Sequence, residues 1–238
     1  LDLTRWRQRP FRSPHHLASA VALVGGGGNP RPGEISLAHH GVLFLDELAE
    51  WSRHALDTLR QPLESGRVVI SRAARQSEFP ARFQLVAAMN PCPCGWAGDP
   101  SGRCNCSAEA VARYRGKLSG PLLDRLGVLT RIDLQLAVPR LPPSELRPEA
   151  PRGESTATVR ARVLAARERQ LARAGVPNAQ LGQADTERDC ALAPADRQLL
   201  ERAIEQLQLS ARALHRIQRV ARTLADLEGV GEIATRHV

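Results

Sequence analysis

Lysine is almost absent from this chain. Its 238 residues contain 33 lysine and arginine side chains against 25 acidic ones, and Lys117 is the only lysine. The formal net charge of +8 is compatible with an anionic partner. Because the sequence is also rich in alanine, leucine, glycine and proline, a coding bias towards arginine explains the same excess. Where the arginines cluster is therefore more informative than how many there are.

Long apolar runs are also lacking. No run reaches the roughly 20 residues that a transmembrane helix needs, and no basic start leads into the short apolar segment of a signal peptide. We therefore expect a cytoplasmic protein without a membrane partner. The sequence begins at Leu1, without an initiator methionine, and ends shortly after a predicted helix. We accordingly expect a fragment of a longer protein.

A glycine-rich stretch near the start lacks the residues of a phosphate-binding loop. Gly25–Gly28 is not followed by Gly-Lys-Ser/Thr. It comes after a basic segment that contains Trp6, Phe11 and four arginines, namely Arg5, Arg7, Arg9 and Arg12. Arginines interleaved with aromatic residues can grip a strand of nucleic acid, but an exposed loop accounts for them equally well. His15 and His16 are candidate metal ligands, although a structural role in a turn fits them better.

The most informative stretch joins four apolar residues to two acids. Val42–Leu45 runs directly into Asp46 and Glu47. Such a run predicts a strand buried on both faces of a parallel sheet, and open α/β sheets bind ligands at the carboxyl ends of their strands. One acid can hold Mg²⁺ through water while the next orients or deprotonates an attacking water. The pattern predicts the Walker B motif of a nucleotide hydrolase; the alternative is a buried strand before a helix with an acidic start.

A basic turn separates two predicted strands downstream. Arg67–Ser71 is a short β-rich run, Arg72–Ser77 is basic, and Phe83–Met89 is a second buried run. This order predicts a hairpin whose tip carries Arg72 and Arg75. The tip either contacts nucleic acid or is simply solvated.

Polar and metal-binding residues follow the second of these strands. Asn90 stands at its carboxyl end, where an amide can orient a water beside a γ-phosphate. Two Cys-x-Cys pairs come next: Cys92, Cys94, Cys104 and Cys106. Their spacing suits a tetrahedral four-thiolate zinc site, and a reducing cytoplasm favours metal over disulfides; free thiols are the alternative. Cys190 stands alone and fits a core cysteine.

The remaining segments predict a strand, a linker and helices. Ile132–Val138 alternates apolar and polar residues, which predicts a half-buried strand, and residues 139–154, rich in proline and charge, predict a linker. Ser52 and Gly66 bound a short helix. Further helices are predicted over Thr156–Ala174 and Pro194–Leu207.

A last helix is predicted from the cap Ser210 to the stop Gly229. One side carries Leu214, Ile217, Ala221, Leu224 and Leu227. The other side, predicted to be solvated for the most part, carries Arg212, His215, Arg219 and Arg222.

Taken together, these residues make the chain resemble the magnesium-chelatase-like AAA+ ATPases, and within them the ComM/YifB branch. The matching segments are Arg9–His16, Gly33–Gly41, Asp46-Glu47, Gln61–Glu64, Met89–Gly95 and Leu209–Ala213. The resemblance implies a P-loop α/β core of three layers over residues 1–138, lacking its first strand and P-loop, a linker at 139–154, and an all-helical lid over 155–238. It also implies ATP and Mg²⁺ as cofactors, a homo-hexameric ring, and an ATP-driven motor that promotes branch migration of DNA, single-stranded or branched, during natural transformation.

The resemblance also implies roles for single residues. Asp46 matches the metal-binding Walker B acid, and Glu47 matches the catalytic glutamate. Asn90 matches the sensor 1 residue, and Arg212 matches the sensor 2 arginine of the lid.

Two insertions of the family have counterparts here. The hairpin with Arg72 and Arg75 matches the insertion before sensor 1, which faces the pore of related ring motors. Residues 5–41 match the insertion in helix 2, which makes Arg9 and Arg12 further candidates for contact with nucleic acid.

Two departures from the family pattern bear on activity. The Walker A loop has no counterpart, so the chain by itself is predicted to bind ATP weakly and to hydrolyse almost none, since phosphate-cradling groups supply most of the catalysis. Leu126–Arg131 is an insertion relative to the family, so only one of Arg125 and Arg131 can be the arginine finger. Three functions stay open: a DNA motor, a chelatase-type ATPase that remodels a protein partner, and a non-catalytic remnant that binds zinc.

Overall fold

The computed structural model describes residues 8–72, 75–99, 101–119, 132–142, 145, 147, 149, 153–206 and 211–238. The chain divides into two compact units, Leu1–Leu136 and Ala137–Val238. We call them the α/β unit and the helical unit. None of the helices in the described ranges combines the length and the apolar character needed to cross a membrane.

The α/β unit alternates short strands with short helices. In chain order the described elements are β1 Phe11–Arg12, α1 Ala20–Val24, β2 Gly25–Gly26, β3 Arg31–Pro32, α2 Glu34–Leu37, β4 Val42–Leu45, α3 Arg53–Asp57, α4 Arg60–Ser65, β5 Arg67–Arg72, β6 Arg75–Pro80, β7 Gln84–Ala87 and α5 Ala108–Ser119.

A parallel three-stranded sheet in the order β1-β4-β7 lies at the centre of this unit. Leu43 and Leu45 of β4 are fully buried and pack in the main apolar cluster. Val42 and Phe44 on the opposite face are only partly buried, and Phe44 stacks with the exposed Phe11 at 6.1 Å between ring centroids. The predicted strand and its parallel setting are confirmed, but full burial is found on one face only.

The predicted hairpin forms with a different second strand. β5 pairs with β6 in antiparallel register, and Arg72 lies opposite Arg75 next to the turn. The residues read as a basic turn are therefore largely strand, because the backbone from Arg75 to Pro80 pairs with β5 along its whole length. β7, expected to be the hairpin partner, instead joins the parallel sheet.

The helix predicted between Ser52 and Gly66 is split into α3 and α4. The Ser52 hydroxyl accepts a hydrogen bond from Ala55 N–H, as an N-cap does. Pro62 has no N–H to continue the helix and is tolerated only near a helix start, so α4 begins anew at Arg60. Gly66 ends α4 at φ 69°, a left-handed conformation that glycine adopts readily.

One predicted strand is wrong. Residues 132–142 form no strand, and Leu134, Leu136 and Val138 are 61, 84 and 89% exposed. Alternation stabilises a strand only when a neighbour supplies backbone partners and a face to cover. Among the described strands none pairs with this segment.

The helical unit contains α6 Thr156–Ala174, α7 Gln183–Asp189, α8 Pro194–Gln206 and α9 Ala211–Glu228. The predictions for α6, α8 and α9 are confirmed to within a residue or two. The Ser155 hydroxyl accepts from Thr158 N–H to cap α6, and Gly175 ends it in the left-handed conformation. Helix α7 was not predicted, because it begins after Gly182, which has no side chain to cap it.

The buried side of α9 differs from the prediction. Ala221 and Ala225 are buried, but so are Gln218, Arg222 and Asp226. Leu224, predicted to face the core, is 39% exposed. The prediction that Arg222 lies on a solvated side is wrong, because its guanidinium donates to the carbonyls of residues 230 and 231 and so satisfies its charge inside the unit.

Candidate functional site

Asp46 and Glu47 form a tight turn directly after β4. One carboxylate oxygen of Asp46 accepts the Glu47 N–H at 2.8 Å, and Glu47 has φ 50°, in the left-handed region. The buried indole of Trp51 donates to the Asp46 carbonyl at 2.9 Å. Both carboxylates remain exposed. The backbone of the turn is therefore held firmly while its two acids stay open to solvent.

Asn90 lies at the same edge of the sheet. β7 is paired beside β4 with Leu45 opposite Ala87. The hydrogen bonds continue past the paired residues, since Ala88 N–H donates to Leu45 at 3.0 Å and Leu48 N–H donates to Ala88 at 2.9 Å. Asn90 follows two residues later and is exposed.

His16 brings a third strand end to this edge. It follows β1 and places its Nδ1 2.8 Å from Oε2 of Glu47, with 24% of its side chain exposed. The His15 ring lies against the His16 ring at 4.2 Å. Three neighbouring parallel strands therefore each end in polar residues, and we call His16, Asp46, Glu47 and Asn90 the polar edge.

The contact between His16 and Glu47 was not predicted from the sequence. The two residues are 31 positions apart in the sequence. The signal that predicts this contact is a polar residue a few positions after each of three strands that pair in parallel.

Arg9 and Arg12, predicted to contact nucleic acid, both make hydrogen bonds within the chain. Arg12 makes a bidentate ion pair with Glu34 at 2.6 and 2.7 Å, and this hydrogen bonding raises the pKa of Arg12. Arg9 is exposed and donates to the His40 carbonyl at 2.8 Å. Arg12 thus ties β1 to α2, whereas Arg9 remains at the surface.

The four clustered cysteines come together as their spacing predicts. The Sγ atoms of Cys92, Cys94, Cys104 and Cys106 all lie within 4.8 Å of one another. The Sγ atoms of Cys92 and Cys94 are 3.3 Å apart, and those of Cys94 and Cys104 are 3.7 Å apart. In a tetrahedron with Zn–S bonds of about 2.3 Å, sulfur atoms are about 3.8 Å apart. The arrangement fits a four-thiolate metal site.

Cys92 is the innermost member of the cluster. It is fully buried, and its Sγ accepts the Ala97 N–H at 3.2 Å. Burial alone would raise the pKa of the Cys92 thiol, but hydrogen bonds from Cys94 and from nearby backbone N–H groups outweigh burial and lower that pKa to about 6. Since the thiolate is the form that binds metal, this surrounding suits a ligand.

Helix α5 connects the cysteine cluster to the polar edge. Arg115 Nε donates to the Pro91 carbonyl at 3.1 Å. Tyr114 is buried in the main core, and burial followed by the charges of Glu50, Cys92 and Glu47 raises its pKa. The same helix therefore contacts Pro91, which directly precedes the cysteine cluster, and the segment after β4, where Oε2 of Glu50 lies 3.5 Å from Nζ of Lys117.

The remaining predicted site residues are placed only in part. Arg72 and Arg75 face each other at the end of the hairpin ladder, and Arg212 is the second residue of α9. Arg125 and Arg131 lie outside the described residues.

Parallel strands with two acids, a histidine and an asparagine after their carboxyl ends place this chain among the α/β proteins, a class whose open sheets bind ligands at that edge. The chain belongs to the magnesium chelatase family. The family model for magnesium chelatase, subunit ChlI, matches residues 2–146, and the model for the C-terminal part of that subunit matches residues 153–238. The parallel sheet followed by a helical region is consistent with the AAA+ fold that the sequence predicts.

The similarity to individual relatives extends along the whole chain. Competence protein ComM of Haemophilus influenzae is 53% identical over 238 residues, which are 100% of this chain and 45% of that protein. The uncharacterized protein YifB of Salmonella typhimurium is 50% identical over 234 residues, or 98% and 45%. An uncharacterized protein of Mycobacterium tuberculosis is 46% identical over 225 residues, or 92% and 43%. The predicted ComM/YifB branch is confirmed, and the chain spans about half the length of these relatives.

Proposed function

We propose that this chain is part of an ATP-dependent motor that acts on DNA. The observation that carries the proposal is the polar edge, where neighbouring parallel strands present Asp46, Glu47 and Asn90 in a chain of the magnesium chelatase family. Acids that hold the metal and the attacking water, beside an amide that orients the same water, are groups that metal-assisted phosphoryl transfer uses.

The residues of the polar edge divide the work as follows. Asp46 would hold Mg²⁺ through its exposed carboxylate, and the bound ion supplies charge neutralisation at the phosphates. Glu47 orients the attacking water and accepts its proton, and Asn90 donates an amide hydrogen bond to the oxygen of that water. Arg212 of α9 is the proposed sensor 2 arginine, and either Arg125 or Arg131 is the proposed finger.

The contact with His16 bears on the role of Glu47. A carboxylate has two oxygens, so Glu47 can accept a hydrogen bond from His16 with Oε2 and from water with the other oxygen. The imidazole then restricts the direction in which the carboxylate points. Such restriction favours catalysis because positioning of the reacting groups supplies much of the rate.

DNA as the substrate is supported by relatives and by the placement of arginines. The name of the ComM protein associates it with competence, and competence concerns the uptake of DNA. Arg9 is exposed, and Arg72 and Arg75 lie together beside the hairpin turn. We propose that these arginines contact the phosphates of single-stranded or branched DNA, in a cytoplasmic hexameric ring.

Zn²⁺ is the metal ion that we propose the four cysteines bind.

A second function is favoured by the family itself. Magnesium chelatase is the namesake of the matching models, so an ATPase that remodels a protein partner is the alternative. A non-catalytic remnant is the third outcome.

The test is ATP turnover by the complete gene product that contains these residues, with and without branched DNA. A DNA motor is expected to turn over ATP faster with DNA, and the stimulation is expected to fall steeply between about 50 and 200 mM salt because phosphate contacts release counterions. Turnover without DNA stimulation favours the protein-remodelling ATPase. The absence of turnover leaves the remnant and contradicts the proposed motor.

A further inference from the structure

We propose that the cysteine loop, residues 92–106, is a metal-dependent support for Asn90, so that Zn²⁺ bound by the four thiolates determines how the asparagine is presented at the polar edge. The inference rests on the proposed function for the role of Asn90. The support itself is a structural claim that can be tested without ATP.

The position of Asn90 depends on the residues that flank it in the sequence. On its N-terminal side, β7 ends at Ala87 and the last bond to β4 comes from Ala88 N–H. On its C-terminal side, Cys92 is only two residues away and is fully buried. The Asn90 backbone therefore lies between the last sheet hydrogen bond, at Ala88, and the buried Cys92 of the cysteine cluster.

The loop also turns back onto the side chain of Asn90. Gly95 N–H donates to the Cys92 carbonyl at 3.0 Å, and Gly95 has φ 79°, which a residue with a side chain rarely adopts. A Cβ atom placed on Gly95 would lie 3.9 Å from Oδ1 of Asn90. The backbone of the first turn of the loop thus borders the amide that is proposed to orient the attacking water.

Regular secondary structure does not hold this loop together. Residues 92–99 and 101–106 include neither helix nor strand. Closing a loop has an entropic cost, and thiols are weak hydrogen-bond donors and acceptors. The four sulfur atoms are therefore the groups best placed to join Cys92 to Cys104 and Cys106.

The donor set defines the class of ligand. Four thiolates and no open position are typical of a structural zinc site, in which the metal contributes folding free energy instead of reacting with substrate. Cys94 is exposed, and Cys104 and Cys106 are partly exposed, so the ion can reach the site from solvent. A Cys92 fixed by the metal then restricts the position of Asn90 through the intervening Pro91. The Pro91 carbonyl accepts a hydrogen bond from Arg115.

The experiment uses the intact chain, first freed of metal under reducing conditions. Co²⁺ is titrated to record the absorption of a tetrahedral thiolate complex, and Zn²⁺ is then titrated into a ¹⁵N-labelled sample while the asparagine side-chain amides are followed by NMR. The resonance pair of Asn90 is identified by its loss in Asn90→Ala, a change at an exposed position. The Asn178 pair, from the helical unit, is the internal control.

We expect Co²⁺ to produce the thiolate absorption at one equivalent. We expect Zn²⁺ to shift the Asn90 pair and to saturate at the same equivalence, while the Asn178 pair stays in place. Cys94→Ser/Cys106→Ser is expected to lose both responses, and Cys190→Ala is expected to keep both.

Two results would overturn the proposal. One is metal binding with an unmoved Asn90 pair, which makes the loop a separate module. The other is the lack of any thiolate complex. Neither result bears on whether the complete gene product hydrolyses ATP, so the proposed function and this inference fail separately.

Discussion

The two units of the chain use their polar residues in opposite ways. In the α/β unit the buried cluster is largely apolar, and the acids and the amide of the polar edge remain exposed at strand ends. In the helical unit, Asp226, Asn178 and Arg222 are each at most 3% exposed. Charge patterning alone therefore does not locate a ligand site: the first unit leaves these polar groups open to solvent, whereas the second uses its polar groups as internal cross-links.

The internal network of the helical unit is centred on Asp226. Arg173 donates to its carboxylate at 2.6 and 2.9 Å, and the Asn178 amide donates at 2.9 Å. Arg222 lies 3.3 Å away. A buried carboxylate is tolerated only when its charge is compensated in this manner. The network joins α6 and the segment before α7 to α9.

Asp226→Ala is expected to have the largest effect on stability. It leaves the buried Arg222 and Asn178 without their acidic partner, and breaking a buried pair in this way costs about 3–5 kcal/mol. The free energy of unfolding is measured in urea by far-UV circular dichroism, which reports mainly on helices. The matched control is Glu201→Ala, whose exposed pair with Arg197 spans 3.9 Å and is worth less than about 1 kcal/mol. Equal losses in the two variants would contradict the contrast between the units.

Removal of metal is expected to affect the α/β unit alone. A ligand present at about 100 times its dissociation constant stabilises the folded state by about 2.7 kcal/mol. All three tryptophans, Trp6, Trp51 and Trp96, belong to the α/β unit, so tryptophan fluorescence reports on that unit. We expect a zinc chelator to lower the urea midpoint of the fluorescence transition. The midpoint of the main circular dichroism transition, to which the longer helices of the helical unit contribute most, is expected to stay unchanged. An equal fall of both midpoints would contradict the contrast between the units.

Acid is expected to weaken the helical unit through two carboxylates. Hydrogen bonds from Arg236 and His237 lower the pKa of Glu228 to about 2. Burial by itself would raise the pKa of Asp226, but the bonds from Arg173 and Asn178 and the nearby arginine charges outweigh it and lower that pKa. A carboxylate with a lowered pKa contributes its full stability above the unfolded value of about 4 and loses it as the pH falls towards the folded value.

The measurement is the urea midpoint of the helical transition between about pH 6 and pH 3. We expect it to fall towards acid, and Glu228→Gln is expected to make the fall shallower because one of the two linked protons is removed. A midpoint that rises towards acid would contradict this assignment.

His16→Ala is expected to have the smallest effect on stability. Its partner Glu47 is 51% exposed, and exposed pairs contribute less than about 1 kcal/mol. The comparison is Glu78→Ala, which removes a surface pair with Arg67 at 3.2 Å. A loss from His16→Ala far above that from Glu78→Ala, measured by tryptophan fluorescence in urea, would show that the polar edge is a structural element instead of an open site.

Local signals in the sequence predicted more than distant ones. The strand before Asp46 follows from its apolar run, and the ends of α6 follow from Ser155 and Gly175, since caps and stops act within a few residues. The cysteine cluster follows from its spacing. The bond between Arg173 and Asp226 does not, because it joins residues 53 positions apart.

Register also lay beyond local patterns. Arg75–Pro80, which overlaps the segment predicted to be a basic turn, pairs with β5, whereas Gln84–Ala87, which lies in the predicted hairpin partner, pairs with β4. Which partner a strand takes depends on packing against the whole sheet rather than on its own residues. Three residues of the polar edge, Asp46, Glu47 and Asn90, could be predicted to lie at strand ends. Placing His16 beside them requires knowledge of the strand order in the sheet.

Glu47→Gln in the complete gene product tests the central claim most directly. Glutamine keeps the shape of the side chain but cannot accept the proton of the attacking water, and a general base contributes about 10²–10⁴-fold to a rate. The account predicts that ATP turnover falls by at least about 100-fold while ATP binding, measured by equilibrium dialysis, persists. Turnover equal to that of the unsubstituted protein would contradict the assignment of the polar edge as the site of hydrolysis.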